Sequence, residues 1–190
     1  MIYRLGLTPD DPEGLAEYYD SLSNSYDQLY GEEQSRKHHQ VLTLVGNRKF
    51  DLLIDIGCGT GAMLMQVTGN YTRAIGTDIS LSMLRNAHRK AKSRNVDFVR
   101  ANCSALPFRS AVSDFVLSIS MLKSDSPDTH FSELRRIAKT GGTLVLTMFH
   151  PNHDSRSLPE PFRTPAHLKV PLSLRESLYM IPVPDDAASA

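Results

Sequence analysis

The segment Asp55-Ile56-Gly57-Cys58-Gly59-Thr60-Gly61-Ala62 sets three glycines behind a carboxylate, at the end of the apolar run Leu52, Leu53, Ile54, Ile56. Where no Cβ intervenes a ligand can approach the backbone closely, and a helix starting just beyond offers unpaired N–H groups. The segment therefore reads as a strand-to-helix turn built around a ligand. Gly57, Gly59 and Ala62 satisfy the dinucleotide spacing G-x-G-x-x-G/A, and Asp78 lies about 20 residues on, where a ribose-binding acid belongs. Two features turn this away from NAD. Asp55 would repel a pyrophosphate and attract an ammonium group, directly or through a water, and Gly61 makes the spacing G-x-G-x-G. A phosphate-cradling P-loop is excluded, because no Gly-Lys-Ser/Thr triplet follows. The ligand this chemistry describes carries a ribose, whose two hydroxyls Asp78 can accept, and a cationic group for Asp55.

These residues need strands and helices to position them. Asp11 to Tyr30 reads largely as helix, and a second helix is expected from about Glu32 to Val45, with Gly46-Asn47 as its stop. The apolar run ending at Gly57 suits a strand buried on both faces. Strands are expected at about 73–77, 96–100, 115–119 and 143–149, with helices near 82–92 and 129–138, the last ended by Gly141-Gly142. This alternation argues for a mostly parallel sheet covered on both faces. Beyond His150, seven of the eleven prolines fall between Pro151 and Pro184, which predicts an irregular tail with one strand at 177–183 and a frayed end at 185–190. The expected class is α/β: a Rossmann-like, doubly wound, mostly parallel sheet of five or six strands. Residues 1–45 form an N-terminal helical lid, 46–150 the ligand-binding core and 151–190 a shortened Pro-rich tail, all in one domain.

With 190 residues and 41% hydrophobic content, one core is the default. Balanced charge, 21 Lys plus Arg against 21 Asp plus Glu, removes bulk electrostatic attraction to nucleic acid or anionic membrane as an argument. No run of about 18 apolar residues is present, and 1–11 lacks a leader pattern. Cys58 and Cys103 stand apart from any CxxC pair, which fits a reducing cytosol and gives no structural zinc site. His38-His39 and His150-x-x-His153 lack the companions of a metal site, so no metal is expected. Arg85, Arg89 and Lys92 share a helix face extended by Lys90, Arg94 and Arg100; a solvated face near a helix C-terminus accounts for it, with RNA phosphates as the alternative.

Over roughly Tyr18 to Pro151 the sequence resembles the class I S-adenosylmethionine-dependent methyltransferases, with a type 11-like domain. The resemblance rests on Asp55-Ile-Gly-Cys-Gly-Thr-Gly61, Gly76-Thr-Asp78-Ile-Ser-x-x-Met83-Leu, Ala105-Leu-Pro-Phe108, Asp114-Phe-Val-Leu-Ser118 and Gly141-Gly142. It implies S-adenosyl-L-methionine as cofactor, with the methionine part at Asp55, Gly57, Cys58, Gly59 and Gly61, the ribose at Asp78, and Ile79 and Met83 flanking the adenine. It implies Asn102, where the family usually has Asp, at the adenine amino group, the Cys103 backbone N–H at the ring, and Ser118 at the cofactor site. Tyr26, with Tyr19 second, matches a tyrosine that closes over the cofactor.

Methyl transfer needs in-line positioning more than a base. His150, which ends the fifth strand, is a catalytic candidate, as are Ser120 and Lys123 after the fourth strand. Ser118-Ile-Ser-Met121 lacks the Asn/Asp-Pro-Pro-Tyr/Phe signature of exocyclic-nitrogen methylation. The expected activity is transfer of methyl to an O, N or C nucleophile of a small molecule or RNA in the cytoplasm. The alternatives are a tRNA-modifying enzyme of the wobble-uridine type working with a partner subunit, and an inactive cofactor-binding regulatory subunit. A short tail also leaves a sheet edge for a second copy or another protein to cover.

Overall fold

A computed structural model describes residues 11–91, 95–123, 126, 128–150, 167–173 and 175–184. Expectations that fell on 1–10, Lys92, Arg94, Pro151, His153 and 185–190 lie outside the described residues.

Helix α1 (Pro12–Leu22) begins where Asp11 Oδ1 accepts the Gly14 N–H at 2.9 Å and Pro12 takes a position that has no partner for an N–H in any case. It stops at Ser23-Asn24-Ser25, where the Ser23 and Ser25 hydroxyls bond back to the carbonyls of Asp20 and Leu22. Helix α2 (Tyr26–Val45) therefore starts six residues before the expected Glu32 and runs to Gly46.

The sheet follows: β1 (Phe50–Ile56), β2 (Tyr71–Asp78), β3 (Val96–Arg100), β4 (Ser113–Lys123), β5 (Ala138–Phe149), β6 (Leu168–Ser173) and β7 (Glu176–Pro182), in the order β3-β2-β1-β4-β5-β7-β6. Helix α3 (Ala62–Gln66) follows β1, α4 (Leu81–Lys90) follows β2, and α5 (Asp128–Ile137) precedes β5. The first five strands are parallel, and β7 pairs antiparallel with both β5 and β6. The expectation of five or six strands is thus corrected to seven. The extra strand is β6, which carries Pro171; proline lacks a ladder donor, and β6 is the outermost strand, with neighbours on one side only. Residues 168–173 and 176–182 of that segment complete the sheet as two strands.

Alternation along β1 splits the core in two. Leu53 packs with Val41 and Val45 of α2, Met63 and Leu64 of α3 and Leu84 of α4. Ile54 and Ile56 pack with Phe131, Leu134 and Ile137 of α5 on the opposite face. Gly141-Gly142 does not end α5 as expected: α5 stops at Ile137 and β5 runs through both glycines. The register between β4 and β5 shifts there, and a Cβ on Gly142 would lie 2.9 Å from the Asp114 carbonyl oxygen.

Chain order reverses across β1, since β2 and β3 lie on one side and β4 on the other. The crevice beyond the carboxyl ends of β1 and β4 is where such sheets bind ligands, and the glycine segment leaves β1 there.

Gly76, in β2, lets that segment settle, because a Cβ would meet Cys58 Sγ at 2.8 Å and the Phe98 ring at 2.9 Å. Gly76→Ala is expected to cost about 1–3 kcal/mol in chemical denaturation, from overpacking; an unchanged midpoint would contradict this packing.

Candidate cofactor cleft

The glycine turn is tied to its neighbouring strand before any ligand arrives. Gly57 and Cys58 both donate backbone N–H to the Thr77 carbonyl at 2.8 Å, and Gly61 N–H reaches the Cys58 carbonyl at 2.9 Å. Gly57, Gly59 and Gly61 all adopt left-handed φ, from +53° to +75°. Gly59 shows why the residue type matters: nothing lies within 4 Å of its absent Cβ, and that open space adjoins a cavity of about 170 Å³. A side chain there would be strained and would fill the cradle.

Asp78 forms the floor. Its Oδ2 accepts the Gly59 N–H at 2.9 Å and its Oδ1 accepts the Ser80 N–H at 2.9 Å. Each oxygen keeps a further lone pair, so the carboxylate is aimed and still able to accept a pair of hydroxyls. Burial raises its pKa above the usual carboxylate value, against the lowering effect of the backbone donors. Asp55, 2% exposed at the end of β1, is pushed up to about 7, first by burial and then by the Asp78 charge. The Asp78 charge beside the buried Asp55 favours a cation and disfavours a pyrophosphate.

The cleft brings together Tyr26, Gly57, Gly59, Asp78, Ile79, Met83, Asn102 and Cys103. Asn102 Oδ1 already accepts the Ser104 N–H at 3.0 Å, leaving a lone pair for a ligand amino group. Burial pushes the Cys103 thiol up to about 11, so it stays protonated. Asp55 and Cys58 instead line an adjoining cavity of about 240 Å³ on the α2 side of the turn. The two cavities share Tyr26, Gly57, Gly59 and Ile119, so they meet at the glycine turn.

Three expected residues sit elsewhere. Gly61 borders neither cavity and packs its absent Cβ position 3.1 Å from Ala87, a close helix contact. Ser118 is fully buried within β4. His150, 4% exposed, does not line the cleft; its backbone N–H bonds the Arg175 carbonyl. His130 of α5 does line it, as do Pro12 and Leu15 of α1 and Ser120 and Met121 of β4. His130 sits within an amphipathic helix pattern that signals packing, so no sequence feature marked it.

The N-terminal helices are fastened over this cleft by polar contacts. Asp20 Oδ1 accepts the Ser80 hydroxyl and the Ser82 N–H, Asn86 donates to the Ser23 carbonyl, and Asp27 accepts the Thr60 hydroxyl at 2.6 Å and pairs with Lys90. Tyr19 and Tyr26 meet edge to face, their ring centroids 6.4 Å apart. Burial raises both phenols, Tyr26 to about 12, with the Asp78 charge contributing.

Residues 54–146 match the family described as a methyltransferase domain. The chain is 33% identical over 169 residues to the uncharacterized protein MJ0638 of Methanocaldococcus jannaschii, covering 87% of this chain and 68% of that protein. It is 31% identical over 157 residues to demethylmenaquinone methyltransferase of Lactococcus lactis subsp. lactis, covering 76% and 62%. Among solved structures, a chain of the complex between the Haloferax volcanii Trm112 methyltransferase activator and a methyltransferase superposes with a TM-score of 0.69. That match has 16% identity and covers 88% of this chain and 98% of that one, a likeness of fold. The chain spans from about half to under two thirds of the length of other relatives it matches.

The raised Asp55 sets a pH dependence. A carboxyl whose folded pKa exceeds its unfolded value contributes fully below about pH 4, and loses that contribution as pH rises through about 7. His38, lowered to about 4 by burial and by Lys37, acts in the opposite sense, so parent and variant must be compared. Asp55→Asn is expected to gain stability relative to the parent between pH 5 and pH 8 in ligand-free thermal melts; a constant difference across that window would contradict the assignment.

Proposed function

Because the chain belongs to the class I S-adenosylmethionine-dependent methyltransferases, we propose that it holds S-adenosyl-L-methionine in this cleft and transfers its methyl group to a nucleophile of a small molecule. The observation that carries the reading is the Asp78 carboxylate, pinned by Gly59 and Ser80 at the floor of the cleft with Asp55 behind the glycine turn. Asp78 would take the ribose hydroxyls and Asp55 the methionine ammonium. Gly57 and Gly59 would let the ligand lie against the backbone, with Cys58 and Gly61 completing the turn. Ile79 and Met83 would sandwich the adenine, and Asn102 and the Cys103 backbone would meet its edge. The bound sulfonium supplies an electrophilic methyl carbon, so the protein's work is positioning and exclusion of water. Helices α1 and α2, bearing Tyr19 and Tyr26, act as the lid. Ser118 serves as sheet packing, and His150 has no place at the cleft.

A small acceptor is favoured because a groove of about 980 Å³ adjoins the cleft and shares Tyr19, Tyr26, Ser120, Met121 and Lys123 with it. A second reading, RNA, draws on the open groove between α1 and α4, where Arg85, His88 and Arg89 meet Arg100 of β3. Substrate-linked salt dependence separates the two, since phosphate contacts release counterions. A protein partner would add to one of the outermost strands, β3 or β6, as in β-strand addition generally. The two free cysteines, Cys58 and Cys103, suit a reducing cytosol.

Calorimetric titration with S-adenosylhomocysteine, beside NADH, is expected to give micromolar binding for the first and none for the second. Asp78→Ala should weaken it about a hundredfold, for two hydrogen bonds to a charged acceptor. Tighter binding of NADH, or an unaffected variant, would overturn the reading.

A further inference from the structure

One left-handed residue at the junction of the cleft and the groove is not a glycine. Ser120 adopts φ +61° where β4 breaks register with β5, between Ser118 and Leu122. A side chain in this conformation is strained, and glycine would relieve the strain. Its backbone is fixed by the Ser120 N–H, which donates to Thr147 Oγ1 at 2.7 Å. The retained side chain is a hydroxyl, and it borders both cavities.

Behind that hydroxyl stands a buried ammonium. Lys37 of α2, its side chain 9% exposed, donates to Ser120 Oγ at 2.8 Å, to Glu33 Oε1 at 2.8 Å and to Glu176 Oε2 of β7 at 2.9 Å. All three ammonium protons are thereby placed, so Lys37 has none to offer a ligand and acts as a positioning residue. Gln34 Nε2 also lies within donating distance of Ser120 Oγ, at 3.1 Å, while Gln34 Oε1, at 3.2 Å, is an alternative acceptor for the hydroxyl proton. With Lys37 donating to it, the Ser120 oxygen has its own proton turned away from the ammonium, shared between Gln34 and any oxygen entering the groove. The groove is lined by Tyr18, Tyr19, Tyr26 and Tyr30 of the helices and by Leu122 and Leu172 of the sheet, with Glu33, Arg36, Lys123 and Glu176 adding charge of both signs.

The geometry points to Ser120 as the group that recognises the methyl acceptor: its hydroxyl, polarised by Lys37, donates a hydrogen bond to an anionic or lone-pair oxygen on a flat aromatic acceptor bound in the tyrosine-lined groove. This rests on the methyltransferase reading and names the acceptor class for it. A donor aimed at the charged form of a phenol favours that form. The polarisation from Lys37 makes the bond charge-assisted, while the aromatic walls match the ring. Glu176, from the strand that the tail contributes, keeps Lys37 in place.

Protein saturated with S-adenosylhomocysteine, its occupancy verified by calorimetry, is titrated with 4-nitrophenol at pH 7, following the phenolate absorbance. The parent is expected to bind the probe and to raise its ionised fraction above that in free solution. Ser120→Gly should bind it about tenfold or more weakly while still saturating with S-adenosylhomocysteine, because glycine takes the left-handed backbone without strain as the hydroxyl is removed. Lys37→Gln should lower the ionised fraction of the bound probe, a spectroscopic change that altered packing alone would not produce. Saturation with S-adenosylhomocysteine but no probe binding, or a Ser120→Gly protein that binds and ionises the probe like the parent, overturns this proposal alone. Failure of the parent to bind S-adenosylhomocysteine overturns the methyltransferase reading and this proposal with it.

Discussion

Two carboxylates, Asp55 and Asp78, end neighbouring parallel strands and lie under a glycine turn, Asp55 buried and Asp78 half-buried at the floor of the cleft. Burying one ionised acid is costly, and a second nearby raises that cost. Much of the surrounding architecture serves this pair. Backbone N–H groups of Gly59 and Ser80 hold Asp78 in its aimed orientation, and the absence of a Cβ at Gly76 lets Cys58 and the turn pack down beside it. Asp55 has its pKa near neutrality, so it becomes fully charged only above that pH or when a cation approaches. A ligand with an ammonium group and a diol resolves both conditions at once, and that composition belongs to the family's cofactor.

The N-terminal helices cover part of the same cleft. Helices α1 and α2 reach the core through Asp20, Ser23 and Asp27, which bond to α4 and to Thr60 of the turn. These contacts are polar and partly exposed, weaker individually than the packed contacts of Val41 and Val45 farther along α2. The end of α2 is therefore anchored in the core while its beginning, with Tyr26, is latched over the cleft. That gradient of stability suits a cover that must open for exchange of the cofactor.

The sequence made the cofactor half of the site legible because it is local. A carboxylate, three glycines and a second carboxylate at the next strand end are consecutive features of one β-α-β unit, and each carries its chemistry in its residue type. Of the cluster around Ser120, the sequence singled out Ser120 itself but not its companions, which come from distant pieces. Lys37 on α2, Ser120 on β4 and Glu176 on β7 have no common spacing, and a β4 irregularity, invisible in composition, turns Ser120 outward while Ser118 remains in the sheet. Pro171 argued against a strand, correctly for a central one; its place at the sheet edge removes the objection. Gly141-Gly142 resembled a helix stop, but close approach to the Asp114 carbonyl explains Gly142 equally well.

A crystal structure of the protein with S-adenosylhomocysteine tests the central assignment most directly. The account predicts both ribose hydroxyls on the Asp78 carboxylate, the ligand lying against Gly59, and the ammonium group within reach of Asp55 directly or through one water. A ligand lodged elsewhere, or one whose ribose faces away from Asp78, would contradict it.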